Sequence, residues 1–298
     1  MDTAVVLTFP GHFFLTAMSI QSVRYFYPEL KNIYVLYDDR VIDGWPDYAK
    51  DCCRLYQISE DRLIGYSQAD PDIAFCGIGW YRQQLIKCSI DMAVPGDTWF
   101  VVDGDILFDE SIDLVDVTPI QHRNDPDDPL SMAVLRCVKT LLSIDQHPLL
   151  ADGQFKITSS IPFRILEKSV LVELRKRVSA NIGGNFSRRI AEMVQNQELL
   201  AHDGTGNGMV LNEWELIEAV NHIMYPNRFC IKDIGSGYDL LKNTSACAPA
   251  RFRHGYAYDY QLNRDWLVQQ IDNDVVEQYW DKAVEYGKYF ERELARSL

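Results

Sequence analysis

An α/β fold built on a mostly parallel sheet is what this sequence predicts, and three features point to it. Short apolar runs alternate with segments of helical periodicity through the first 105 residues, the pattern of strand–helix–strand units. Two of those runs, "TAVVLT" (3–8) and "WFVV" (99–102), contain no charge, as in strands buried on both faces. Beyond residue 105 the amphipathic segments lengthen, so the second half is expected to be more helical.

The elements follow in chain order. "TAVVLT" is a strand closed by Phe9-Pro10-Gly11, and residues 12–26 place Phe14, Ala17, Met18 and Val23 at roughly helical spacing. "NIYVLYDD" (32–39) reads as a second strand ending in Asp38-Asp39, and "CCRLYQI" (52–58) as a third. The segment "IGWYRQQLIKCSIDMA" (78–93) reads as one helix leading through Pro95-Gly96 into the strand 98–102. On it Trp80, Gln83, Gln84 and Lys87 share one face, while Tyr81, Leu85, Cys88 and Met92 share another that is expected in the core. Helices are expected over 161–179, 186–201 and 212–224, a polar Gly-rich loop over 202–208 and a strand over 228–234. The stretch 261–296 carries Val275, Tyr279, Ala283 and Tyr286 on one helical stripe, expected to pack on its own domain. No internal repeat, low-complexity tract or linker divides the chain, so a single domain over 1–298 is expected.

Bulk properties narrow the function classes. With 298 residues, 47% apolar and 24% charged, the chain is an ordinary globular composition with enough length for an extensive core. It has no run of about 18 uncharged apolar residues. An acid, Asp2, stands where a secretory leader carries Lys or Arg. A net charge of −14 and a pI near 4.8 argue against binding a polyanion over a broad surface. A small anion held by a metal or a few basic side chains fits that charge. Seven cysteines, an odd number without C-x-x-C spacing, read as reduced thiols of a cytoplasmic protein. The Asn-x-Ser/Thr-type sites at Asn185 and Asn243 are then unused.

Chemistry concentrates where the strands end. Thr8, Asp38, Asp39, Asp103 and Asp105 all fall at the carboxyl ends of expected strands, where open α/β sheets bind their ligands. In "VVDGDILF" a buried strand delivers two carboxylates separated by Gly104. Such a pair can hold Mg²⁺ or Mn²⁺, hard cations that prefer oxygen and complete their shells with phosphates. Gly104 would let the backbone turn and a bulky ligand approach. The alternative is an Asp-Gly turn closing a hairpin between 98–102 and 106–108, its acids merely solvated. A haloacid-dehalogenase-like phosphatase, with Asp103 as nucleophile, also uses D-x-D after an apolar strand. Here, however, Ile106 and Leu107 follow directly and more than 100 residues precede.

"VVDGDILF" resembles the D-x-D motif of GT-A glycosyltransferases, enzymes that use metal-bound nucleotide sugars. "MSIQSVRYFYPELKNIYVLYDD" (18–39) resembles their first helix and second strand. "GWYRQQLIKCSI" (79–90), "FKITSSIPFRILEKSVLVELRKRV" (155–178), "NEWELIEAV" (212–220) and "RFRHG" (251–255) are similar, in this order, to segments of a poorly characterised bacterial and viral branch. The chain departs from that branch at Asn212, where Ser is usual, and at Ser159-Ser160, where His is common. The resemblance implies a nucleotide-sugar-binding half (1–108), an acceptor-binding half (109–260) and a C-terminal extension (261–298). It implies a hexosyl transfer from UDP-glucose or UDP-galactose to a carbohydrate, lipid or protein acceptor, with Mn²⁺ or Mg²⁺ as cofactor.

By the same resemblance Asp105 binds the metal directly, and Asp103 binds it directly or through water and the donor ribose. His254 in "RFRHG" matches the late histidine that such enzymes bring to the metal, with His122 as its rival. Thr8 and Asp38 are candidates for the nucleoside, unless they simply end strands. Arg82 and Lys87 are candidates for phosphates or sugar hydroxyls, unless they are solvated charges. In "NEWE", Asn212 with Glu215 fits a capping box. Glu213 instead lies on the apolar stripe with Leu216, Ile217 and Val220. It is either buried against a partner or facing a substrate cavity, where it could serve an inverting transfer as general base. A non-catalytic sugar- or nucleotide-binding module with the same cleft is the alternative to an enzyme.

Overall fold

The computed structural model describes residues 1–8, 13–39, 45–77, 79–104, 106–108, 120–123, 129–145, 156–157, 163–199, 208–226, 232–233, 252–254, 274 and 277. The chain runs β1 (Thr3–Thr8), α1 (Phe13–Phe26), β2 (Asn32–Tyr37), α2 (Trp45–Tyr56), β3 (Leu63–Gly65), α3 (Tyr66–Ala69), α4 (Gly79–Lys87) and α5 (Ile90–Ala93). It continues through β4 (Thr98–Asp103), β5 (Ile106–Phe108), β6 (Ile120–Arg123), α6 (Pro129–Leu142), β7 (Lys156–Ile157) and β8 (Phe163–Glu167). Then come α7 (Lys168–Ile182), α8 (Phe186–Gln195), α9 (Glu213–Met224), β9 (Lys232–Asp233) and β10 (Phe252–His254). The fold is α/β, as the alternation of apolar runs and helical segments predicts. The loop 202–207 and nearly all of 261–296 lie outside the described residues. Among the described residues no helix is long and apolar enough to cross a membrane.

Two compact units divide the chain: Met1–Gln68 with Trp99–Ile112 and Ala250–Leu298, and Ala69–Thr98 with Asp113–Pro249. In the first, strands run in the order β3-β2-β1-β4, with every one of these neighbours parallel. β1 is buried along its whole length, and Trp99–Val102 of β4 are buried as well, because helices must cover both faces of a parallel sheet. Tyr27, Phe100 and Phe108 cluster with ring centroids 5.2–5.8 Å apart and seat β5 against α1. The Phe108 amide donates to the Ser22 hydroxyl at 3.3 Å.

Residues 52–58 are not a strand; 52–56 complete α2 and 57–58 follow its end. Cys52, Cys53, Leu55 and Tyr56 are buried while Arg54 is exposed, a helical stripe that a seven-residue window mistakes for an apolar run. Arg24 then closes the helix end by donating to the Tyr56 and Gln57 carbonyls at 2.8 and 2.7 Å. Gln57 itself has φ 52°, which ends the helix.

The second unit is the more helical, with α6, α7, α8 and α9 packed together. The expected helix 161–179 is β8 followed by α7. The expected helix 78–93 is α4 and α5, parted at Cys88-Ser89, and Met92 is exposed rather than in the core. Arg175 fixes that break, donating to the Cys88 carbonyl at 2.6 Å and to both Asp91 oxygens at 2.6 and 2.7 Å. Asn185 caps α8 by accepting from the Arg188 amide at 3.1 Å.

The described cysteines, 52, 53, 76, 88 and 137, are all buried and reduced. Burial pushes the Cys88 and Cys137 thiols far above their ordinary range, and burial with the nearby acids Glu60 and Asp61 pushes Cys53 up to about 11. Cys88 and Cys137 should therefore resist an aromatic disulfide reagent at about pH 8 until denaturant is added. Rapid labelling of either in the native protein, mapped by mass spectrometry, would contradict the closed core.

Candidate active site

In the first unit β1 and β4 end side by side. Leu7 is in register with Asp103, and Thr8 with Tyr37, so Thr8, Asp38 and Asp103 share the carboxyl edge of the parallel sheet. Gly104 is seated against β1, its amide donating to the Leu7 carbonyl at 2.7 Å. A Cβ on Gly104 would lie 2.5 Å from that carbonyl oxygen, 2.6 Å from Thr16 Oγ1 and 3.3 Å from Thr8 Cβ. The glycine is thus required by close packing on Leu7 and Thr16, not by a left-handed turn, since its φ is not positive. Among the described residues β4 and β5 form no hairpin: they belong to different sheets, where β4 pairs with β1 and β5 with β10.

That second pairing matters for the metal. β5 and β10 are antiparallel with His254 opposite Ile106, the residue after Asp105. Asp105 and the side chain of His254 lie outside the described residues, as does the side chain of His122. His122 belongs to another sheet in the second unit, where its backbone pairs with Ile157. Among the described residues no three His, Cys, Asp or Glu side chains gather to hold a metal ion. Of the candidate donors Asp103, Asp105 and His254, only the Asp103 side chain is among the described residues, and a strand-end carboxylate is an oxygen donor of the kind Mg²⁺ or Mn²⁺ takes. A glycine cradle holds Asp103 at a strand end, and the ladder carries the backbone of His254 past the residue that follows Asp105.

The neighbouring polar residues are bonded inward. The Thr8 and Thr16 hydroxyls hydrogen-bond to each other, and the fully buried Tyr56 hydroxyl bonds to both. Asp39 ties β2 to the start of α3, accepting from the Ser67 amide at 3.1 Å and from the Ser67 hydroxyl. Asp39 therefore has a structural task. Burial, then the Asp39 charge, holds the Tyr37 phenol well above its usual range.

In the second unit the sequence-predicted residues meet in a buried ionic cluster. Lys87 Nζ lies 2.8 Å from Glu213 Oε1, with side chains only 3% and 7% exposed. The same ammonium sits 4.7 Å from the centre of the Trp214 ring, and the Arg164 guanidinium lies 5.7 Å from it. Arg164 is also 3.8 Å from Glu218. Burial lowers the Arg164 pKa, while Glu218, Glu215 and Glu213 pull it back up. Burial raises the Glu218 carboxyl against the opposing effects of Arg164 and Asn221. Arg82 and Lys87 are thus interior groups rather than solvated ones. Asn212 caps α9 by accepting from the Glu215 amide at 3.0 Å, as the capping-box spacing predicts. Glu215 itself is completely buried, and Arg164 and Glu218 are members of this cluster that pattern reading did not find.

A scan of protein-family models finds no match to this chain, and a search of curated proteins finds none either. Among solved structures it is similar to mouse xyloside xylosyltransferase 1 in its apo form, at 11% identity over 86% of this chain and 98% of that one, with a TM-score of 0.40. It is similar to the galactosyltransferase LgtC in complex with donor and acceptor sugar analogues, at 13% identity over 94% and 99%, TM-score 0.45. It is also similar to the inositol-1-phosphate CTP transferase from T. maritima, at 14% identity over 74% and 96%, TM-score 0.27. At these identities and scores none of the three bears on what this chain does.

Proposed function

We propose that this protein is a metal-dependent glycosyltransferase that moves a hexose from a nucleotide sugar, with UDP-glucose or UDP-galactose as first choices, to an acceptor. The observation that supports it best is the pairing of β5 with β10, which sets His254 opposite Ile106 just beyond the Asp103-Gly104-Asp105 sequence. Asp103, Asp105 and His254 would hold Mn²⁺ or Mg²⁺, and the bound metal would offset the charge that develops on the departing diphosphate. Thr8 and Asp38, at the same sheet edge, would border the nucleoside, Thr8 through backbone and methyl because its hydroxyl is bonded inward. In the second unit Arg82 and Lys87 are proposed for phosphates or sugar hydroxyls of the donor, and Glu213 as general base for the acceptor. The buried, reduced cysteines accord with a cytoplasmic enzyme.

A second reading has one observation in its favour. Glu213 is held by Lys87 in a nearly closed ion pair, which suits a carboxylate that builds the fold of a non-catalytic nucleotide-sugar-binding module. Turnover separates the two, since a module would bind UDP with metal yet release no UDP from any sugar donor. On either reading UDP should raise the melting temperature only with Mn²⁺ or Mg²⁺ present, because the metal joins two anionic partners. Equal stabilisation in excess chelator would remove the metal bridge from the proposal.

A further inference from the structure

The mechanism just described makes no use of the buried hydroxyls beneath Gly104. Thr16, completely buried on α1, bonds to Thr8 at the end of β1 and to Tyr56 on α2. The Thr16 hydroxyl and the Thr8 Cβ thus stand where Gly104 has no room for a side chain, and Tyr56 bonds to both threonines from behind. Packing alone would not require this chemistry, because a buried hydroxyl is costly unless bonded and an apolar side chain could fill the same space. Directional bonds hold Thr16 Oγ1 more closely than packing would, and Oγ1 is the wall nearest to Gly104 after the Leu7 carbonyl. Gly104 directly follows Asp103, so the wall sets where that carboxylate stands.

We infer that Thr16 is a positioning residue for the divalent-metal site, fixing Gly104 and through it Asp103. The inference rests on the metal reading proposed above. Coordination of Mg²⁺ or Mn²⁺ by oxygen tolerates displacements of only a few tenths of an ångström, so a small shift of the cradle is felt as affinity. Thr16→Val keeps the volume, removes both hydrogen bonds and replaces an oxygen by a bulkier methyl against Gly104.

The test is Mn²⁺ titration with UDP present, free Mn²⁺ being read by electron paramagnetic resonance, so that no activity is needed. Thr16→Val should weaken Mn²⁺ binding by about tenfold or more, as loss of supporting partners around metal ligands does. Thr16→Ser, which keeps the hydroxyl, should stay within about twofold of wild type. Ile20→Val, a core truncation on the same helix, should leave the affinity unchanged although it loosens packing. Wild-type affinity in Thr16→Val overturns the inference, and so does an equal loss in Ile20→Val. Should Thr16→Val fail to fold, Tyr56→Phe decides: weakened Mn²⁺ binding supports the positioning role, and unchanged binding overturns it. If wild-type protein binds UDP no better with Mn²⁺ than without, the proposed function falls first and the inference with it, before any variant is compared.

Discussion

Replacing Lys87 by Met should lower the unfolding free energy by about 3–5 kcal/mol, because it strands Glu213 as a buried carboxylate without its partner. The cluster in the second unit brings two cations, Lys87 and Arg164, together with the acids Glu213, Glu215 and Glu218, all buried. Removing one cation leaves an uncompensated charge in a place where water cannot screen it. Glu213→Leu should cost a similar amount for the mirror reason, taking from the buried ammonium the carboxylate 2.8 Å away. The double variant Lys87→Met/Glu213→Leu should recover most of the loss, since both members of the 2.8 Å pair go together and apolar side chains fill the gap. Urea unfolding of the three variants measures the cycle. Losses below about 1 kcal/mol in both single variants, the size typical of exposed pairs, would mean that the cluster is hydrated in solution.

That cluster also shows where pattern reading stops. The strands β1 and β4 were legible because Val5, Val6, Val101 and Val102 belong to uninterrupted apolar runs, whereas the three-residue β3 was missed; the capped start of α9 was legible because Asn212 precedes its acids at the right spacing. The strand β8 was hidden by coincidence. Phe163, Leu166, Val170 and Leu174 fall three and four residues apart across the strand–helix boundary, so a helical stripe reads straight through it. Burial of Lys87 was hidden for a different reason: its partner lies 126 residues away, and no local window contains the compensating charge. Glu213 was half legible, since a carboxylate on an apolar stripe demands either a partner or a cavity, and the partner is Lys87. Gly104 was found for its place between two aspartates, whereas its physical reason, the Leu7 carbonyl and the Thr16 hydroxyl, required the register of β1 with β4.

The second large effect belongs to the metal. Asp105→Asn keeps the shape of the side chain and removes the charge opposite the cation, so metal-assisted UDP binding and donor turnover should both vanish. His254→Ala, which takes away the proposed neutral ligand, should weaken that binding without abolishing it. Glu213→Gln should leave UDP–Mn²⁺ binding nearly intact by calorimetry, measured where the variant is still folded. If Glu213 is the general base, transfer should nonetheless fall by about 10²–10⁴-fold. Glu215→Gln is a poor control for this comparison, because Glu215 is completely buried in the same cluster as Arg164. The charge-balanced Lys87→Met/Glu213→Leu protein serves better, since it lacks the carboxylate yet restores the fold. Binding of UDP–Mn²⁺ without turnover in that protein would assign Glu213 to the chemistry and release Lys87 from contact with the diphosphate. Full turnover would make the pair purely structural and move the base to another carboxylate. Loss of UDP–Mn²⁺ binding itself would return Lys87 to the donor side, because the proposed metal ligands Asp103, Asp105 and His254 are untouched by the change.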